Sequence, residues 1–579
     1  MNAHDTDPKN PHEADPKVAD WIEHASKALH DVSSRTPPAR LASELERLNS
    51  AVRKAAAGRL THLDQPGDYV SLLASFAAKA GSAEGWASDR GSAAPRPESA
   101  VEAERAGQSL SMVSGAGLAR TAEQLRAGET TARALTEAAL ASAHRHQNEH
   151  NVFISIYEER ALARAEALDR EAEAGHWRGP LHGIPMAHKD CLERAGEPMT
   201  VGSRARDNDA PATQTATTIA RLDQAGALDL GALNLSEMVC GPTGQNPGHG
   251  DCSNVWDSGR IAGGSSSGSG AGVALGTVFG ALASDTGGST RLPASMNGVF
   301  GLKPTYGLVS RAGSYPRSFS LDSIGPIARS AEDCALMLQA IAGHDPRDPT
   351  SLRVPVPDYH GALDADWIGE SRIANIGLGF PCETSVQSAI DGFLAKVETV
   401  FGPVDETAFD DIDACYALGD IVSKTEAAAL HGDTIRRHPE KYSQAGFSRT
   451  ETGLHMPGVR YVEALSLRAK VVAAFLDSAM GAHDVLICPT IPIPVPTRDE
   501  ADMEKPDAVF GVVSALTRLT RPFNYLGIPV LSMPVGLDVN GMPVGAQLIG
   551  RPLDEGRLLG VAHQLSLQMD WPLDGGCFG

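Results

Sequence analysis

Apolar residues recur at helical spacing through the first eighty positions. Val18, Trp21, Ile22, Ala25, Leu29 and Val32 form one stripe, closed by Thr36-Pro37-Pro38. Leu41, Leu45, Leu48, Val52 and Ala55 form a second, and Tyr69, Leu72, Leu73, Phe76 and Ala77 a shorter third. Each predicts an amphipathic helix whose stripe must bury against something: the other helices, the main domain or a second copy of the chain. From Gly81 to Ser99 the pattern gives way to GSAEGWASDRGSAAPRPES, the composition of a linker, and helical periodicity resumes near Leu118. Beyond it, helical stretches alternate with short apolar runs such as Ala225–Leu228, Ile373–Ile376, Val485–Cys488 and Val530–Met533. That alternation predicts an α/β fold with a large sheet core covered by helices. The expected organisation is an N-terminal α-helical module over 1–95, a linker to about 110, and one catalytic domain over 111–579.

The formal charge of −22 disfavours nucleic acid or an anionic membrane surface as partner, because both require clustered Lys and Arg. The eight cysteines, Cys577 included, form no C-x-x-C pair and no zinc-spaced cluster, so neither a metal nor a cofactor is expected. The polar segment Met1 to Lys17 has no apolar signal core, and no run reaches the roughly 20 apolar residues of a membrane helix. A cytoplasmic protein with reduced thiols is the expectation.

Chemistry concentrates in Gly263–Ala294, where two Gly/Ser clusters flank about sixteen small or apolar residues. A flexible linker does not fit, because the second cluster carries Asp285, Arg291 and Pro293 and runs into Val299–Leu302. A phosphate loop does not fit either, because no Lys follows the glycines. Gly264-Ser265-Ser266-Ser267-Gly268 matches the G-x-S-x-G elbow, which would make Ser266 a nucleophile served by a downstream histidine such as His431 or His563.

A further reading joins both clusters to an upstream lysine. GIPMAHKD (Gly183–Asp190), GGSSSGSG (Gly263–Gly270), DTGGSTRLPA (Asp285–Ala294) and GLKPTYGLVSRAG (Gly301–Gly313) occur in that order, with 24 positions between Ser265 and Ser289. This set resembles the amidase signature family, and the likeness runs over most of 112–579 without covering the first hundred residues. The resemblance implies amide hydrolysis with Ser289 as nucleophile, Ser265 as proton relay through a cis peptide, and Lys189 as base. A lysine serves as base only if desolvation or nearby dipoles lower its pKa. The N–H groups of Thr286, Gly287, Gly288 and Ser289 are the expected oxyanion donors. Asp285 and Arg291 are expected to brace the loop, and Ser266 to support it. By the same resemblance Met238, Val239, Cys240 and Gly241 line the acyl pocket, with the Val239 carbonyl facing the substrate.

The leading expectation is hydrolysis of a small-molecule amide, carbamates and ureido compounds included. The alternative is the glutaminase subunit of a tRNA-dependent amidotransferase, which works with a small helical partner and a large synthetic subunit. The N-terminal helices are expected to form a dimerisation or capping element, and a homodimer through them is one outcome.

Overall fold

Most of the strands are short apolar segments buried on both faces. The computed structural model describes residues 16–30, 35–61, 63–82, 117–503, 505, 511–569 and 571. The linker expected around 81–110 lies almost wholly outside the described residues, as do Val32 and Cys577. The strands are β1 (Phe153–Ile156), β2 (Pro185–Lys189), β3 (Leu228–Leu233), β4 (Gly280–Asp285), β5 (Phe300–Lys303) and β6 (Ser323–Ala328), then β7 (Ile373–Gly377), β8 (Asp405–Ala408), β9 (Val485–Pro489), β10 (Val530–Leu537) and β11 (Pro543–Gly550). They make one sheet in the order β1-β3-β2-β4-β6-β5-β10-β11-β9-β7-β8. β2 runs parallel to β3 and β4, and β7 parallel to β8 and β9. The stretch β4-β6-β5-β10-β11-β9 is antiparallel throughout, so the sheet is mixed.

Three of the four apolar runs fall inside strands, in β7, β9 and β10. The run Ala225–Leu228 does not. Its first residues cap the Thr217–Gln224 helix, Gly226 turns the chain at φ +89°, and β3 begins only at Leu228. Gly226 is required there, since a Cβ would stand 2.9 Å from His182 Cα.

The parallel pairing of β2 and β4 creates the site. Met186, Ala187 and His188 lie beside Gly280, Ala281 and Leu282, so both strands end at the same edge of the sheet. Lys189 closes β2 there, and Ser284 and Asp285 close β4. In open α/β sheets the carboxyl edge is where ligand sites gather, because the chain leaves each strand there in loops that can be shaped independently.

Helices Pro16–His30, Pro38–Ala56 and Asp68–Ser82 match the three stripes. The second begins at Pro38, where a missing N–H costs nothing in the first turn. Leu41, Leu45, Leu48 and Val52 share a buried cluster with Leu418, Ile421 and Val422 of helix Ile412–Arg437, Leu467 and Val471 of helix Gly458–Asp477, and Leu486 of β9. Tyr69 Oη donates to Leu526 O at 3.2 Å, and the Arg468 guanidinium covers the Tyr69 ring at 3.6 Å. Ile22, Leu41, Leu45, Leu48, Val52, Tyr69 and Leu73 of the stripes are buried within the chain. Trp21 departs from its stripe and is 54% exposed.

Candidate active site

Lys189 is fully buried at the end of β2. Its Nζ lies 2.7 Å from Ser265 Oγ and 2.8 Å from Ser284 Oγ. Burial pushes its pKa down to about 8, although Cys191, Asp322 and Asp285 pull the other way. A buried lysine with a lowered pKa is not by itself a base: Lys303, pushed to about 7 by burial and then by Arg291, reaches only Pro304 O among the described residues. What sets Lys189 apart is a pair of serine hydroxyls on the ammonium.

Ser265 follows a cis Gly264–Ser265 peptide. A side chain on Gly264 would meet Ser236 Oγ at 2.6 Å and Gly241 O and Gly244 N at 2.7 Å, so only glycine allows the loop to pack there. Helix Ser267–Ala274 begins immediately afterwards. Ser266 Oγ donates to Ser284 O at 3.2 Å, and Ser266 N donates to Ser289 O at 3.3 Å, which ties the two Gly/Ser clusters together.

Ser289 sits half-buried at the far end of the Asp285–Ser289 turn, on the wall of an open pocket. The turn is held by Asp285. Its Oδ1 accepts from Gly288 N at 2.7 Å and Asn524 Nδ2 at 2.8 Å, its Oδ2 from Thr290 N at 3.1 Å, and both from Arg291 at 3.0 Å. Burial alone would raise the pKa of Asp285, but the Arg291 guanidinium holds the carboxyl well below the usual carboxylate range. Arg291, equally buried, spends its other donors on Thr520 O, Gln547 Oε1 and Asn524 Oδ1. The two charges satisfy each other and hold the backbone N–H groups of the loop.

One expected oxyanion donor is lost by this brace. The Gly288 N–H is taken by Asp285, which leaves those of Thr286, Gly287 and Ser289 without an intrachain acceptor among the described residues. Gly288 has a geometric role instead: its φ is +128°, and a Cβ would lie 2.4 Å from Thr520 Oγ1. Thr286 and Gly287 line the pocket with Ser289.

Val239, Cys240 and Gly241 form the facing wall. Met238 does not line it; its side chain is buried in the main core. Met238 and Val239 are both left-handed, at φ +51° and +58°, a conformation that disfavours a β-branched residue. Such a conformation persists only where its surroundings enforce it. Here Met238 N donates to Val201 O and Val239 N to Ser236 O, while the Val239 carbonyl receives no hydrogen bond among the described residues.

With that geometry in view, the family model described as Amidase matches residues 134–559. The chain belongs to the amidase signature family. Its curated amidase relatives include the A-type subunit of the glutamyl-tRNA(Gln) amidotransferase of Picosynechococcus sp., 36% identical over 447 residues, 72% of this chain and 91% of that protein. The protein of the same name from Chromohalobacter salexigens is 36% identical over 494 residues, 80% of this chain and 98% of its own. Among solved amidase structures, one from a vestigial complex related to an s-triazine catabolic enzyme superposes with a TM-score of 0.72 at 32% identity, covering 79% of this chain and 99% of the other. The peptide amidase of Stenotrophomonas maltophilia gives 0.64 at 28%, covering 79% and 98%. This amidase is accordingly an enzyme acting on amide C–N bonds.

The elbow reading of Ser266 finds no histidine hydrogen-bonded to it among the described residues, and Ser266 Oγ donates to Ser284 O instead. The two histidines considered for it are elsewhere: His431 contacts Tyr315 Oη at 3.3 Å, with its pKa pushed down to about 3 by burial and then by Arg317 and Arg206, and His563 pairs with Asp364 at 4.0 Å. Sequence reasoning missed Ser284, which stood between an apolar strand and Asp285 with no motif of its own. It also missed the charged part of the pocket: Arg317, Asp420, Lys424, Arg449 and Arg521 line it together with Ser289.

Proposed function

We propose that this amidase hydrolyses a small amide bearing an anionic group, through an acyl-enzyme on Ser289. One observation carries the substrate class. Arg317 and Arg449 line the pocket that holds Ser289, and neither forms an ion pair among the described residues. Arg317 has one side-chain hydrogen bond, to Thr450 Oγ1 at 3.3 Å, and the buried Nε of Arg449 has none. Two guanidinium groups left open beside a nucleophile suit a carboxylate on the substrate, which would complete their hydrogen bonding.

In the reaction, Ser289 Oγ bonds to the carbonyl carbon while its proton passes to Ser265 Oγ and the Ser265 proton passes to neutral Lys189. The N–H groups of Thr286, Gly287 and Ser289 stabilise the oxyanion. Collapse breaks the C–N bond, and the proton returns along the same path to the departing amine. Water then adds to the ester by the same relay and releases the acid and Ser289. The free state of the seven described cysteines supports a reducing, cytoplasmic setting.

The test compares succinic mono-p-nitroanilide with butyric p-nitroanilide, which differ by one carboxylate. Preference for the anionic substrate by roughly 10- to 100-fold in kcat/KM is expected from one charge-assisted contact. Equal rates, or preference for the neutral anilide, would remove the anionic class.

The names of the curated relatives favour a second reading, the glutaminase subunit of a tRNA-dependent amidotransferase. The carboxylate of glutamine would suit the same arginines. Ammonia release from glutamine only in the presence of partner subunits and tRNA would select this reading, and efficient release by the chain alone the first.

A further inference from the structure

Two of the charged pocket residues, Asp420 and Lys424, are one helical turn apart on helix Ile412–Arg437 and bond to each other at 2.9 Å. Asp420 also forms a close ion pair with Arg521. Arg521 in turn packs against the nucleophile loop, its Nε 3.3 Å from where a side chain on Gly287 would begin. The other end of this chain of charges leaves the catalytic domain. Glu44, on helix Pro38–Ala56, takes Lys424 Nζ at 2.5 Å, and Arg47 binds Glu44 at 2.9 and 3.0 Å and approaches Asp420 at 3.6 Å.

We propose that Glu44 and Arg47 are positioning residues that set the charge of the substrate pocket from the N-terminal helix. The reading rests on the anionic-amide pocket described above. Both residues lie outside the 134–559 stretch matched by the family model, and neither lines the pocket. The five groups carry three positive charges against two negative ones. Glu44 and Asp420 are little exposed, with side-chain exposures of 11% and 5%, so their fields are poorly screened. Arg47, 48% exposed, acts more weakly. Glu44 hence restrains the attraction of Lys424 and Arg521 for an anion, and Arg47 restores part of it by competing for both carboxylates.

The sign of each effect follows. Glu44→Gln keeps a hydrogen-bonding group beside Lys424 but removes a negative charge, so KM for succinic mono-p-nitroanilide falls. Arg47→Gln removes a positive charge, so KM rises. Changes of about 3- to 10-fold for Glu44 and about 2- to 3-fold for Arg47 are expected at low ionic strength. The double variant returns toward the wild-type value. Butyric p-nitroanilide turnover and fluorophosphonate labelling of Ser289 change less than the anionic KM in every variant.

The experiment is steady-state kinetics of the full-length chain and these three variants on both anilides, at low salt and again in about 0.5 M salt, where screening shrinks the effects. Opposite shifts in the single variants, cancelled in the double, support the proposal. Unchanged KM values, shifts of the same sign, or parallel losses on both anilides overturn it, because a merely structural contact gives no opposed signs. Wild-type enzyme without anionic preference would overturn the pocket reading itself and this proposal with it, whereas preference kept intact in all variants would overturn this proposal alone.

Discussion

Lys189 Nζ lies 2.7 Å from Ser265 Oγ, at the common carboxyl edge of two parallel strands. The proposed reaction uses this contact to carry the Ser265 proton to Lys189. Everything proposed about the reaction depends on the ammonium losing its proton near physiological pH.

That dependence has a visible pH signature. The base must be neutral, and the Lys189 pKa is pushed down to about 8 by burial, so kcat/KM should rise with pH and level off above about 8. Lys189→Arg should abolish turnover, because its guanidinium stays protonated. A flat pH–rate profile between pH 6 and 9 would contradict the assignment.

The same shift bears on stability. A lysine whose folded pKa lies below its unfolded value costs stability at low pH, and the cost fades as pH rises from about 8 toward the unfolded value of 10.5. Lys189→Met should therefore fold at pH 7 with no loss of stability, although Ser265 Oγ loses its partner and Ser284 Oγ keeps only the Cys191 thiol. Urea unfolding measures this; a loss above about 3 kcal/mol would show that the charge is stabilising rather than tolerated.

Asp285 and Arg291 should behave in the opposite way. Asp285→Ala leaves a fully buried guanidinium unpaired and frees the Gly288 and Thr290 N–H groups. A loss of about 3–5 kcal/mol is expected in urea unfolding, with labelling of Ser289 lost as the turn relaxes. A stable variant with normal labelling would remove the bracing role.

Much of this site was legible in the sequence, for a local reason. Glycines at 264 and 288 and the serines beside them act through backbone geometry, which leaves a compact signature. The stripe Leu41, Leu45, Leu48 and Val52 likewise predicted a helix with one buried face. What stayed hidden depends on tertiary packing. Arg317, Asp420, Lys424, Arg449 and Arg521 come from four separate segments and read as ordinary polar positions until the fold gathers them. Glu44 looks like a solvated residue beside its stripe, and only the packing of its helix on Ile412–Arg437 reveals its partner. Sheet order was equally illegible, since β5 and β6 stand between β4 and β10 by pairing over long distances.

The arginines make a separable prediction. Arg449→Met should raise KM for succinic mono-p-nitroanilide by about 10-fold or more, with kcat and butyric p-nitroanilide turnover little changed. Steady-state kinetics on both anilides decide it, and equal losses on the two would assign Arg449 a structural role.

The central claim is the identity of the nucleophile, and covalent labelling addresses it without knowledge of the natural substrate. A fluorophosphonate probe, followed by peptide mass mapping, should place a single adduct on Ser289. Ser289→Ala should lose both the adduct and at least about 10³-fold in turnover, while Ser266→Ala keeps both within about tenfold. An adduct on Ser266, or turnover that survives in Ser289→Ala, would contradict the account.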